Sequence, residues 1–392
     1  MTRIVICRSN PIDPDPRVEK IARSLASAGY SVSLLGWDRT GKLPASDSLD
    51  PSSSASEPIK LYRLPLVAPF GHGMANLPNL LRWQWRLLGW LVRHRKQFDL
   101  IHACDFDTIL PALACKILFG KKVIYDIFDF YADHLRATPE LLKRLIRSAD
   151  LRAIGKADAL ILVDDARWEQ ISGAQPRRSA VIYNSPAEPI GFQPLNPGPA
   201  PAGSGFRLAY IGLLQKERGL FEMLAVLQKH PTWQLDLAGF GGDEEEIRAA
   251  CQALPNCHWH GRIPYDQALQ LSQAADVLFA TYDPQIPNHR FSSPNKVFEA
   301  MLLGKPIVVA RDTNMDRMIE SNHCGIVVEY GNVHDLEQAL AQLEQDPDLR
   351  QTLGQNARLA YQTIYSWEEM DKRLKKLYAE VCQAASPHTG RP

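Results

Sequence analysis

The stretch 291–310, FSSPNKVFEAMLLGKPIVVA, decides how this chain is read. Ser292, Ser293, Pro294 and Asn295 make a small polar turn, and a short helix carrying Lys296 and Glu299 follows. A Gly-Lys-Pro turn then leads into the buried strand Ile307–Ala310. A turn feeding a helix start presents free backbone N–H groups at the positive end of the helix dipole, which is a ready anion site. Lys296 adds a mobile positive charge there. Glu299 lies about one turn further on, where its carboxylate accepts bonds from hydroxyls beside the same anion. A diphosphate joined to a ribose fits that pair. A capped helix with a solvated Lys–Glu face fits the segment too, and a short motif alone leaves both open.

The chain has 392 residues, 45% hydrophobic and 22% charged, so it can fill the cores of two or three domains. Forty-four basic residues balance forty-four acidic ones. Zero net charge removes the general electrostatic case for a nucleic-acid partner. The seven cysteines lack CxxC spacing and sit mostly in apolar or helical context, as expected of reduced thiols. MTRIVICRSN reads as a first strand rather than a signal peptide. No run approaches the ~18 apolar residues of a membrane span. The expectation is a soluble cytoplasmic protein, with contact at a membrane surface left open.

The first half alternates strands and helices: strand Arg3–Cys7, helix Arg17–Ala28, strand Ser31–Gly36, strand Leu100–Ala103, helix Thr108–Phe119, strand Lys122–Asp126, then helix to about Ile154. Strands follow at Ala159–Val163 and Ala180–Tyr183, and Pro44–Pro58 reads as a mobile loop. The Pro/Gly/Ala-rich segment Pro186–Gly205 marks a linker. The alternation then restarts at Phe206 and ends in helices from Asn332 to about Ala384. Such alternation predicts βαβ units and parallel sheets, so the expectation is two Rossmann-like halves with ligand beyond the carboxyl ends of the strands. The domains read as 1–187, a linker 188–205, 206–366, and a C-terminal helix and tail over 367–392.

The motifs together resemble the retaining family-4 glycosyltransferases of the GT-B fold. In the second half they are YIGLLQKERGL (210–220), LAGFGGDEEEI (237–247), HGRIP (260–264), SSPNKVFEAMLLGKPIVV (292–309), CGIVV (324–328) and YSWEEM (365–370). In the first half they are DPRVEKIARSLASAGYSVSLL (15–35), IHACDFDTILPA (101–112), VIYDIFDFYAD (123–133) and VIYNSP (181–186). The resemblance covers nearly the whole chain and implies two α/β domains facing across a cleft, with the C-terminal helix crossing back to the first. It implies sugar transfer from a nucleotide-diphosphate sugar to a hydroxyl of a glycan or lipid-linked glycan, without a metal or other cofactor.

Such transfer needs the leaving diphosphate stabilised as negative charge develops. The resemblance assigns that work to Arg218 and Lys296, with Lys216, Gly212, Gly239, Gly241 and the turn Ser292, Ser293, Pro294 and Asn295 around the diphosphate. Glu299 would hold the ribose, and Arg262 with Ile263 the base. From the first half, Asp129 is the polar group expected at the reaction centre, with Asp15, Arg17, Asp105 and Asp126 near acceptor or donor. Two positions depart from the family pattern. Phe291 stands where relatives often carry the first carboxylate of a Glu-x7-Glu motif, and Phe128 where many carry a histidine.

Other patterns are weaker. Asp13-Pro-Asp15 and Asp105-Phe-Asp107 mimic a metal-binding Asp-x-Asp, but a cap or turn role is the simpler reading. Cys257, His258 and His260 lack a second ligand pair for zinc. Residues 77–98, LPNLLRWQWRLLGWLVRHRKQF, suit either a half-buried helix with snorkelling arginines or an anionic membrane surface. A nucleotide-sugar epimerase and a catalytically degenerate partner subunit remain as alternatives. An NAD-dependent oxidoreductase lacks the complete GxGxxG.

Overall fold

A computed structural model describes residues 1–50, 58–69, 76–134, 138–189 and 205–384. Most of the proposed linker, part of the Pro44–Pro58 loop and the end of the C-terminal tail lie outside the described residues. The chain forms two compact units: Met1–Tyr183 with the C-terminal segment from Met370, and Asn184–Glu369.

In the first unit the strands are β1 Arg3–Arg8, β2 Ser31–Asp38, β3 Ser46–Leu49, β4 Ile59–Pro65, β5 Leu100–Cys104, β6 Lys122–Ile127, β7 Ala159–Leu162 and β8 Ser179–Val181. They form one sheet in the order β3-β4-β2-β1-β5-β6-β7-β8. The β3–β4 pair is antiparallel and the other pairs are parallel. The β3–β4 pair corrects the loop reading. SDSL is polar and exposed at a sheet edge, so it carries no alternation signal. Near-continuous apolar runs such as LIHAC mark strands covered on both faces. Helices Leu77–Arg93, Phe106–Phe119 and Glu140–Lys156 share one core with one sheet face, in which Trp37 and Trp83 stack at 5.1 Å. On C-terminal helix Trp367–Gln383, buried Tyr378 bonds His102 of β5 at 2.5 Å.

The second unit holds β9 Arg207–Leu213, β10 Gln234–Phe240, β11 Cys257–Gly261, β12 Val277–Ala280, β13 Ile307–Ala310 and β14 Gly325–Val328. Their order is β11-β10-β9-β12-β13-β14 and every pairing is parallel. Succession from β9 runs outward one way through β10 and β11 and the other way through β12 to β14. The switch point therefore lies between β9 and β12, and in the first unit between β1 and β5.

The reduced-thiol expectation fails at one pair. Cys251 near the end of helix Glu244–Gln252 and Cys257 at the start of β11 form a disulfide, because the turn between them brings their Cα atoms to 5.3 Å. The other five cysteines are free.

Candidate active site

The helix inside the opening motif runs Asn295–Leu303, and its N-cap is extended Pro294, which makes no side-chain cap bond. A helix start of this kind points its first N–H groups outward, where an anion can meet them. Lys296 reaches from this turn to the carboxyl end of β9, where Nζ donates to the Ile211 carbonyl at 2.7 Å and lies 3.9 Å from the Tyr210 ring centroid. Gly212 explains the fit: its φ is +155°, and a Cβ there would stand 2.3 Å from Nζ. Gly239 on β10 is held as tightly, with φ +150° and a notional Cβ 1.8 Å from the Gly212 oxygen. Gly241 packs the same way against the Leu214 backbone.

Arg218 closes a single turn, Lys216–Arg218, just past β9. Its guanidinium lies 3.9 Å from the ring centroid of buried Tyr282, which follows β12. Residues from both sides of the switch point therefore meet. Burial and then the Arg218 charge push the Lys296 amine down to about 7, while Glu299 opposes them. The same two causes push buried His289 down to about 4. Two cations crowded with one carboxylate repel each other, and an anion relieves that repulsion.

Glu299 accepts from the hydroxyl of Tyr265, whose pKa rises through burial first and then through this carboxylate. Tyr265 opens the helix after HGRIP and was missed from sequence, where a tyrosine at a helix start carries no signal. The Ser292 carbonyl accepts from Asn314 at 3.3 Å, and Ser293 is buried. Lys216 is exposed and paired with Glu246 at 2.8 Å. Arg262 lies 4.7 Å from the ring centroid of exposed Phe240, beside half-buried Ile263. His258 and His260 bond Gln234 and Asp236 at 2.8 and 2.7 Å, so with Cys257 in the disulfide they gather no metal set.

The first unit gathers a different group at its own switch point. Arg8, at the end of β1, bonds Asp15 and Asp105, the latter just past β5, and lies 4.0 Å from the Phe128 ring centroid. Arg8 was also missed; its signal was a charge directly after an apolar strand. Asp15 caps helix Pro16–Ser27, accepting from Val18 N at 3.2 Å. Arg17, expected to meet a ligand anion, instead closes a buried pair with Asp126 at 3.0 Å and donates to the Ile182 carbonyl at 2.7 Å. The anion that justifies a cation in a first helical turn is the protein's own carboxylate. Asp126, expected near acceptor or donor, is fully buried within this pair. Burial alone would raise its pKa, yet Arg17 and His102 outweigh that and lower it.

Asp105 accepts from Phe128 N at 2.8 Å. Burial, opposed by Arg8 and reinforced by Asp129, pushes its carboxyl up to about 6. Asp129 is about two-fifths exposed and paired with buried Arg167 at 2.8 Å.

Comparison with known proteins follows this geometry. Residues 14–185 match the glycosyl transferase 4-like domain, and 199–360 match glycosyl transferases group 1. The chain is built from two glycosyltransferase domains. The chain has the GT-B fold, shared across 98% of its length with a sucrose-phosphate synthase from Thermosynechococcus elongatus (100% of that chain, 17% identity, TM-score 0.78). It is similar also to Anabaena HepE, solved with UDP and glucose (97% and 100% covered, 14% identity, TM-score 0.68). An uncharacterized glycosyltransferase of Haemophilus influenzae is 25% identical over 351 residues, 86% of this chain and 88% of that protein. The chain spans about half the length of the first curated relatives it matches, 43% of one and 61% of the next.

Proposed function

We propose that this glycosyltransferase moves a sugar from a nucleotide-diphosphate sugar to a hydroxyl of a glycan or lipid-linked glycan, with retention at the anomeric carbon. The carrying observation is the convergence of Lys296 and Arg218 with the start of helix Asn295–Leu303 at the β9/β12 switch point. As the sugar–phosphate bond breaks, charge grows on the diphosphate, and these fixed donors stabilise it without reorganising. Lys296, neutral or charged in the free site, becomes fully protonated against the diphosphate. Glu299, oriented by Tyr265, accepts from the ribose hydroxyls. The departing phosphate oxygen takes the acceptor proton, so no strong protein base is needed, and protein cations supply the charge without a metal.

On the first unit, Asp129 with Arg167 and the Arg8–Asp105 pair would face the acceptor. The HepE complex makes UDP-sugars the first donors to test. Assembly of cell-surface polysaccharide is the setting this chemistry suits.

Thermal unfolding with UDP, GDP, ADP and their sugars, with and without magnesium, tests the donor site. A ligand at ~100 times its Kd adds about 2.7 kcal/mol. A selective shift that is the same with and without magnesium supports the proposal; no shift with any nucleotide overturns it. A second reading, a partner subunit that binds nucleotide without turnover, is favoured by Phe128. Its ring occupies the histidine position and packs under the guanidiniums of Arg8 and Arg17 at 4.0 and 4.8 Å. Sugar release or transfer in the presence of crude acceptor excludes that reading.

A further inference from the structure

Helix Leu77–Arg93 of the 77–98 segment is half-buried, as one of its two sequence readings expects, and its other face is open. Trp83, Leu87 and Leu91 are fully buried in the core of the first unit. Leu81 and Trp85 are 51% and 73% exposed. Arg82, Arg86 and Arg93 are exposed beside them, and the helix Leu77–Arg93 contains no acidic residue.

The pattern extends sideways. Helix Phe106–Phe119 packs against Leu77–Arg93, and Glu140–Lys156 packs against Phe106–Phe119. The guanidinium of Arg95, just past the first helix, lies 5.3 Å from the Phe119 ring at the end of the second. All three send their inward faces into one core over one sheet face, so their outward faces share one side of the layer. The second helix exposes Ile117 and Leu118 at 71% and 64%, and the third exposes Leu141 and Leu145 at 73% and 59%. Among the described residues, eight of the sixteen exposed large apolar side chains lie on these three helices. Scattered exposed leucines need no explanation, but a concentration on one layer marks an interaction face.

Charge selects the occupant. The three helices carry nine Lys and Arg against three acidic residues, and two of those, Asp107 and Asp150, are buried. The third, Glu140, is paired with Lys143 at 3.0 Å. The chain as a whole is neutral, so this face is positive at the expense of the rest. A second copy docking through the same patch about a two-fold axis would set like charges against each other. An apolar stripe with tryptophan and a basic surround suits the boundary of an anionic bilayer. There leucine and tryptophan enter the acyl region and long cationic side chains reach the headgroups.

We propose that this three-helix layer of the first unit docks on an anionic lipid bilayer, inserting Leu81, Trp85, Ile117, Leu118, Leu141 and Leu145. It does not depend on the donor-site reading. A bilayer-bound enzyme would meet a lipid-linked acceptor by diffusion in two dimensions, so the two proposals reinforce each other without requiring each other.

The test is co-sedimentation of the full chain with vesicles of phosphatidylcholine alone, or with about a third phosphatidylglycerol. The expected result is binding to the anionic vesicles that falls with added salt, and at least ~10-fold weaker binding to neutral ones. Trp85→Ala should weaken binding about 10-fold. Arg82→Glu with Arg144→Glu, on two different helices, should weaken it at least ~30-fold. All these side chains are exposed, so the variants should unfold at the wild-type temperature and keep any nucleotide-induced shift. Wild type that stays in the supernatant with anionic vesicles overturns the proposal, as does binding indifferent to both variants. Self-association that disappears with Trp85→Ala, without vesicle binding, would assign the face to a second copy instead.

Discussion

Lys296 gives the sharpest quantitative test of the donor site. Its amine sits at about 7 in the free protein, below the ordinary 10.5, because burial and Arg218 disfavour its charge. The groups facing it are Arg218 and Glu299, the Tyr210 ring and the Ile211 carbonyl. A bound diphosphate adds negative charge beside the amine and returns its pKa toward the ordinary value. Above pH 7 the free site is mostly neutral, so binding must take up a proton. The neutral fraction rises from about half at pH 7 to nearly all at pH 9, and affinity for a nucleotide sugar should fall about 50-fold over that interval, about 2.3 kcal/mol. A nucleotide sugar is the right ligand because its diphosphate does not titrate in this range, unlike a terminal phosphate with a pKa near ~6. Calorimetry at pH 8 in two buffers of different ionisation enthalpy should show about 0.9 proton taken up per ligand. Lys296→Met keeps the length and removes the titration; its binding should be weak and flat with pH. A wild-type affinity constant between pH 7 and 9, or an unchanged slope in Lys296→Met, would refute the reasoning.

Other outcomes follow from the same geometry. Arg218→Ala should lower turnover at least ~100-fold, read as kcat, if its charge meets the departing diphosphate. Arg17→Ala leaves Asp126 buried and uncompensated, and should cost ~3–5 kcal/mol in urea unfolding; a loss below about 1 kcal/mol would mean the pair is solvated. Gly239→Ala sets a Cβ 1.8 Å from a backbone oxygen at φ +150°, so it should lower the unfolding temperature and abolish nucleotide binding together. The lowered Lys296 pKa also predicts that the free protein gains stability between pH 7 and 10.5, where the unfolded chain binds the extra proton. Lys296→Met should remove that gain in denaturant titrations.

Much of the candidate donor site's local geometry was legible because its parts are local. Ser292–Glu299 is one turn and one helix start, and backbone geometry at a helix N-terminus follows from the chain itself. The same holds for the Gly-rich ends of β9 and β10, where glycine signals close backbone approach. Partners far apart in sequence were not legible. The partner of Arg17, Asp126, lies 109 positions away, beyond the reach of any helical spacing. Lys216 and Arg218 look alike in sequence, yet one finds Glu246 and the other Tyr282.

By itself, then, the sequence determined two successive α/β units with mainly parallel sheets, since apolar strand runs alternating with helices admit few other layerings. It also determined the turn and helix start carrying Lys296 and Glu299 within the second, the proposed donor site. The tertiary structure decided which cation meets which anion, that Lys296 rests against Gly212, and that three basic, apolar helix faces share one side of the first unit. Ion pairing and surface composition depend on which strands lie side by side. That order arises from the whole chain's packing, and no single segment encodes it.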